Sequence, residues 1–299
     1  MNQRGMALVF ATAAISGVSI FINKFAVSGI DSSVFTFSKN LLVAAVLVSL
    51  LVLWKRDALR LLTKKDWLIL SIIGLVGGAI PFLLFFRGLQ LISGNMGSFI
   101  HKTMFIFVAV LAAVFLGEKV KKWFFIAAIA LLAGNFMLLK INSMGFGTGE
   151  MLVLAATLLW AVENTISKHA LKRLDSTTVA AGRMGFGALF IFAFLAATGK
   201  APLIFSLTQN QIGWIIITSM LLLAYVLTWY SGLKHVDVST ATAVLTLGSP
   251  VTMLLSFAFS STAVTIVDTL GIMLVFAGVF LVLSSKGWLD ARQRWQFRG

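Results

Sequence analysis

Ten apolar runs of roughly 20 residues, divided by short polar breaks, fill almost the whole chain, and a helix needs about that many to cross a hydrocarbon core. They are Met6–Val27, Val34–Trp54, Trp67–Leu89, Asn95–Leu116 and Trp123–Leu139, then Glu150–Ala170, Thr178–Thr198, Ile212–Leu233, Ser239–Ser260 and Thr265–Leu283. Lipid offers the backbone no hydrogen-bond partners, so runs of this kind must be helices. Only 11% of residues are charged and mean hydropathy is +0.99, whereas soluble domains carry about a quarter charged residues. The first run is long and lacks a small-residue cleavage site, so it reads as a retained helix and not a signal peptide. The expected fold is an all-α integral membrane protein of about ten transmembrane helices.

The formal charge of +14 invites a nucleic-acid reading. The basic residues instead form short clusters between apolar runs, which is the membrane pattern and gives no nucleic-acid partner. Arg4, Lys55, Arg56, Arg60, Lys64, Lys65, Lys119, Lys121, Lys122, Lys168, Lys172, Arg173 and Lys234 fall on one side, with Lys286, Arg292, Arg294 and Arg298 in the tail. The opposite loops hold only Lys140 and Lys200. This bias places both termini in the cytoplasm and requires an even number of crossings. There are no cysteines, so thiolate chemistry and disulfides are excluded.

Sliding the chain on itself by about 144 residues superimposes every span. Lys24 falls on Lys168, Asp31-Ser32 on Asp175-Ser176, Lys39 on Arg183, Gly88-Leu89 on Gly232-Leu233 and Ala133-Gly134 on Ala277-Gly278. Leu-on-Leu matches mean little in so small an alphabet, but one ungapped offset that aligns loop residues and helix glycines together is harder to dismiss. The expected organisation is a first five-helix repeat at 1–143, a second at 144–285 and a basic cytoplasmic tail at 286–299. An odd number of helices per repeat inverts the second copy, as in secondary transporters.

Polar residues within the spans mark a possible path. Thr12, Ser16, Ser19 and Asn23 recur at helical spacing on the first span, as do Asn95, Ser98 and Lys102 on the fourth. Ser239, Thr242 and Thr246 on the ninth are the repeat mates of the latter stripe. Ser and Thr often only join membrane helices, but two stripes in register across the repeats favour a shared cavity lining.

Charges at the bilayer centre cost about 2.5–3.5 kcal/mol on insertion scales, so ionisable residues there mark functional positions. Lys39, His101, Lys102, Glu163 and Arg183 lie within spans, whereas Lys24 and Arg87 are near enough to the ends to snorkel. Glu163 is either a counter-ion for Arg183 or Lys102, or a proton-coupling or amine-binding group. The excess of cations over this one deep acid suggests a cavity that receives negative charge. Trp160 and Tyr225 are candidate pocket walls, while Trp54, Trp67, Trp123, Trp214 and Trp288 read as interfacial belt residues. Pro81 and Pro250 interrupt helical bonding and are candidate gating kinks.

With its ten-helix duplicated pattern, the chain resembles the EamA-type transporters of the drug/metabolite transporter superfamily. The resemblance rests on Asn23-Lys24, Phe86-Arg87-Gly88-Leu89, Phe115-Leu116-Gly117-Glu118-Lys119 and Gly248-Ser249-Pro250-Val251, and extends over nearly the whole chain. It implies a carrier in the cytoplasmic membrane, usually an exporter of amino acids or related metabolites, with a central cavity between the repeats. This sequence departs from the pattern where Ile106 occupies the repeat mate of Pro250, where Ser260-Ser261-Thr262 replaces a second Gly-Glu turn, and where His101-Lys102 replaces an apolar pair. Basic residues hold anions in the plastid phosphate translocators, which offers an analogy only.

The expected function is therefore secondary transport of a small-molecule substrate such as an amino acid or organic anion, by alternating access. A membrane-embedded enzyme would need a paired acid and base, a nucleophile or a metal cluster, and the three histidines show no ligand spacing. A channel would show a ring of like charges or a filter loop, and neither is evident; a sensor or scaffold is the remaining alternative. With no ATP-binding loop, no cofactor is expected and transport must run on a gradient or downhill. The orientation is testable because the chain is cysteine-free: an impermeant thiol reagent applied to right-side-out vesicles should label a single cysteine at position 146 and spare one at position 60. The opposite pattern would reverse the topology.

Overall fold

The computed structural model describes residues 2–27, 29–140, 147–260 and 264–285. The basic tail 286–299 with Trp288, the Ser261-Thr262 positions, loop residues 141–146 and the side chain of Lys24 lie outside the described residues. What is described consists of helices and turns, with no strand among them.

We number the ten apolar helices α1 (Gln3–Ala26), α2 (Ser32–Trp54), α3 (Lys64–Leu89), α4 (Asn95–Leu116), α5 (Lys122–Leu138), α6 (Thr148–Ala170), α7 (Ser176–Ala197), α8 (Gln209–Leu233), α9 (Val238–Ser260) and α10 (Ile266–Ser285). Nine are long and apolar enough to span a membrane; α5 has the composition but only 17 residues. The chain is thus a multi-pass membrane protein. Several helices begin before the hydropathy pattern starts, because their first turns are polar caps. Thr63 and Asp66 form a capping box at α3, Thr208 and Gln211 do so at α8, and Asp31 and Asp175 accept backbone N–H groups at α2 and α7. Each cap satisfies donors that would otherwise be orphaned at a helix start.

The two halves meet as an inverted pair. Lys55, just past the end of α2, bonds Asp175 at the start of α7 (2.9 Å), and Lys200, beyond the end of α7, bonds Asp31 at the start of α2 (2.8 Å). Reciprocal pairs at opposite ends fix α2 and α7 as antiparallel neighbours. The same reciprocity holds for α1 with α8 and α3 with α6. A Cβ on Gly88 would sit 2.8 Å from the Gly149 carbonyl, and one on its mate Gly232 would sit 3.1 Å from the carbonyl of Gly5, the mate of Gly149. In α5 and α10, a Cβ on Gly134 would sit 2.7 Å from the Gly271 carbonyl and one on its mate Gly278 3.0 Å from the Ala127 carbonyl. Without a hydrophobic drive between helices in lipid, such close backbone approach supplies the packing that holds them together.

Burial raises the Asp31 and Asp175 carboxyls, but the lysine bonds and the capping N–H donors outweigh it, and both are held below the usual aspartate value. Their contribution is therefore complete at neutral pH and is lost as pH falls through the depressed values. Being partly exposed, each pair is worth little.

The glycine contacts give a direct test. Gly134→Leu should lower the thermal midpoint by the equivalent of about 1–3 kcal/mol, the usual cost of overpacking, whereas Gly185→Ala, where a Cβ meets nothing within 4 Å, should leave it unchanged or raised. Equal midpoints for the two variants would argue against the α5–α10 contact.

Candidate functional site

The site begins with a defect in α3. Its middle turn, Gly74–Ala79, is a π-helix, with Ile80 N bonded to Leu75 O. Pro81 lies just beyond and has no N–H, so the carbonyl of Gly77 loses the donor that a regular α-helix would give it. Side chains from other helices take over. Trp160 Nε1 (α6) donates to Gly77 O at 3.0 Å and Arg183 Nη2 (α7) at 3.2 Å, while Asn40 Nδ2 (α2) donates to Gly78 O at 2.9 Å. The approach is close enough for this because Gly78 lies against the backbone of Arg183 and Gly187.

Around this carbonyl the structure gathers a polar core from both repeats. Glu163 is fully buried against Gly77, where a Cβ would collide with its Cγ. Its Oε1 accepts from Ser167 Oγ (2.6 Å) and Tyr230 OH (2.7 Å), and its Oε2 has no hydrogen-bond partner. The Arg183 guanidinium faces Tyr230, Glu163 and Tyr225, with its Nε likewise unpartnered. Phe82 and Phe85 pack against Trp160, the His101 ring meets Trp160 edge-on at 5.0 Å, and Arg183 lies over Phe82 at 5.9 Å. On the next turn of α6, Asn164 accepts from Trp229 Nε1 at 3.0 Å and donates to the Trp160 carbonyl. Tyr225 stacks on Trp229.

The expected residues divide into groups. Trp160, Glu163, Arg183, His101 and Tyr225 converge on the α3 defect. Lys102 does not join Glu163. Its Nζ reaches the Leu245 carbonyl at 3.4 Å, and among the described residues neither Lys102 nor Arg183 is within 4.0 Å of a carboxylate. Of the two roles open to Glu163, the direct ion pair with Lys102 or Arg183 is not formed; its Oε1 is held by two hydroxyl donors instead. Lys102, His101, Thr242 and Thr246 line a void of about 10 Å³, and both threonines bond their own helix's carbonyls. Ser19 and Asn23 instead form a third group with Lys39, and Thr12 bonds Thr228 across α1 and α8. Ser16 and Ser98 are half-buried, Asn95 is exposed at the start of α4, and Arg87 is exposed beside Gln90.

Ser167 and Tyr230 escaped the sequence reading. Ser167 is one helical turn from Glu163, so i,i+4 spacing could have found it; nothing local marks Tyr230.

Both α4 and α9 are discontinuous. In α9 the segment Leu245–Leu247 is a 3₁₀ turn ahead of Pro250. In α4, α-helix gives way at Thr103, between Gly94–Lys102 and Met104–Leu116, at the same position in the repeat and without a proline. Thr103 Oγ1 bonds the Ile100 carbonyl at 2.6 Å and holds that turn. At the end of α4, Gly117 adopts a left-handed φ of 68°. Glu118 follows it and caps the start of α9, accepting from Val238 N (2.7 Å), Ser239 N (3.2 Å) and Ser239 Oγ (2.5 Å). Lys168 Nζ bonds the Leu233 and Val236 carbonyls nearby. The end of the core carrying Glu118 is thus closed, and Val238–Pro250 is buried throughout. Toward the opposite face, Ile15–Asn23 of α1 is half-buried at every position but Gly17.

Inverted five-helix repeats around a buried polar core, with broken helices at the middle, define a membrane transporter fold. The EamA-like transporter family matches residues 3–140 and again 147–284, and the chain belongs to that family. It is 25% identical to an "Uncharacterized transporter" of Archaeoglobus fulgidus over 96% of this chain and 99% of that one. It is also 25% identical to "Uncharacterized transporter YyaM" of Bacillus subtilis, over 80% of each chain. A crystal structure of a protein with 19% identity superimposes with a TM-score of 0.74, covering 95% of this chain and 98% of that one, which shows a shared fold.

Tyr230→Phe removes one of the two donors to Glu163 and should lower the thermal midpoint by the equivalent of about 1–3 kcal/mol, the cost of leaving a buried acceptor short. Tyr225→Phe should cost less. If the order is reversed, the Tyr230–Glu163 bond is not what stabilises the core.

Proposed function

We propose that this protein is a secondary transporter that exports small metabolites, amino acids or organic anions, by alternating access through the core between its repeats. The observation that carries this reading is the incomplete satisfaction of the central charges. A purely structural buried acid and cation are normally bonded to one another on every side. Here Glu163 Oε2 and Arg183 Nε have no partner, although each is buried. Those atoms offer an acceptor and a donor to a solute, or to water that a solute displaces.

The basic-residue bias supports a cytoplasmic position for both termini in the cytoplasmic membrane. The end closed by Glu118 and Lys168 is then cytoplasmic, and the half-buried stretch of α1 faces outward, so this conformation is the outward-facing one. Reaching the inward-facing state requires Glu118 to release the start of α9, and the two broken helices are the natural hinges. Lys102 lies at both breaks and attracts an anionic group of the solute as it passes. Glu163 binds a proton or an amine during the cycle.

Liposomes loaded with labelled amino acids and organic anions test the activity. Efflux of at least one compound should depend on pH, and the titration should vanish in Glu163→Gln. Exchange of labelled for unlabelled solute should survive that substitution, because exchange needs no net proton movement. An unchanged pH profile in the variant would exclude coupling through Glu163, and no transport of any compound would count against the transporter reading itself.

A further inference from the structure

The 144-residue offset that relates the halves makes Ser19, Asn23 and Lys39 the mates of Glu163, Ser167 and Arg183. The two trios occupy mate positions, on α1 and α2 and on α6 and α7, and share a bond between residues one helical turn apart, Ser19–Asn23 and Glu163–Ser167. Because the repeats are inverted, they sit at different depths. Lys39 is about 10 Å along α2 from its start, and Arg183 is the same distance along α7 from the opposite face.

The copies differ in charge. The second carries its own acid, Glu163. In the first that position is Ser19, and Lys39 has no carboxylate within 4.0 Å among the described residues. The lysine is 8% exposed. Of its three donors, one meets Asn23 Oδ1 at 2.9 Å, and the ammonium lies 4.7 Å from the centre of the Phe35 ring. Asn23 is fixed in this orientation because its Nδ2 donates to the Ser19 carbonyl (2.7 Å) and to Ser19 Oγ (3.0 Å). Ser19 Oγ accepts that bond, so its own proton is free to donate. Asn23 and Ser19 are both half-buried, on the half of α1 that lies away from the Glu118 end.

We propose that Lys39, Ser19 and Asn23 form a binding site for a small monoanion, a carboxylate group foremost, which supplies the negative charge that Glu163 supplies to the mate site. The anion would receive hydrogen bonds from the Lys39 ammonium and the Ser19 hydroxyl, with Asn23 positioning both. A charged acceptor at such a place is bound more strongly than a neutral one. That the anion belongs to a transported solute rests on the transporter reading; the site itself does not.

The test uses the purified full-length chain in lipid nanodiscs, with the thermal midpoint followed against acetate, benzoate, chloride and phosphate at an ionic strength held constant by methanesulfonate. At least one anion should raise the midpoint saturably, with a half-saturation about tenfold higher in Lys39→Gln, which loses a charge-assisted hydrogen bond. The cysteine-free background provides a second comparison that does not depend on that variant's stability. In Lys39→Cys, aminoethylation with a methanethiosulfonate reagent should restore the anion effect, and methylthiolation of the same protein should not. Stabilisation by carboxylates alone would support an organic acid as the ligand, and equal stabilisation by chloride would support an inorganic anion at the same site. Absence of any anion effect in the wild type, or an effect indifferent to Lys39→Gln or to the charge restored at Lys39→Cys, would overturn the proposal. An intact anion effect in a protein that transports nothing would count against the transporter reading alone.

Discussion

Pro81 withholds an N–H from the carbonyl of Gly77, and the polar core is arranged around the acceptor this leaves. Inside a membrane an orphaned carbonyl is costly because no water reaches it. Trp160 and Arg183 therefore hold positions that the backbone of α3 dictates, one from α6 and one from α7. The widened π turn and the run of small residues around it let those helices approach, and Glu163 fits only because residue 77 has no side chain. One missing hydrogen atom thus orders three helices, and a carboxyl group and a guanidinium are brought to the middle of the protein without forming an ion pair.

The pseudo-symmetry of the halves is carried by features that do not depend on sidedness. Glycine-to-carbonyl contacts recur as mates in α1–α8 and α3–α6, and the capping aspartates at α2 and α7 bond lysines from one another's far ends. Where the halves diverge, they do so in the parts that differ chemically. The break in α9 is preceded by a 3₁₀ turn and followed by a proline, whereas α4 breaks on a threonine. Two different local devices yield discontinuities at one repeat position, so the break itself, and not the residue that makes it, is what the fold needs.

The spans, the repeat and the family were legible because hydropathy over a window of 20 residues is a strong, additive signal, and a fixed offset tests it twice. The ends were less legible because capping residues such as Thr63, Asp66 and Thr208 are polar and look like loop. Within the core, the sequence identified which side chains are out of place in lipid but not which of them meet. For Glu163 charge alone leaves a counter-ion role and a proton- or amine-binding role both open, and its hydrogen-bond partners are hydroxyls, from Ser167 and Tyr230, which sequence does not point to. Lys102 is one of two cations that depth allows beside Glu163, but depth says nothing of azimuth, and the lysine points at α9. The π turn left no trace beyond Pro81 and its glycines, which many helices contain without such a defect.

A pair of separate, identical five-helix chains inserted in opposite directions would carry the same residue at both mates of every position. Such an assembly would hold two buried acids or none, never one. Joining the copies in a single polypeptide removes that restriction, and the contrast between Ser19 and Glu163 exploits it. Tandem fusion therefore does more here than keep two halves together: it lets selection act on each depth of the membrane separately, so that a path symmetric in shape can be polarised in charge.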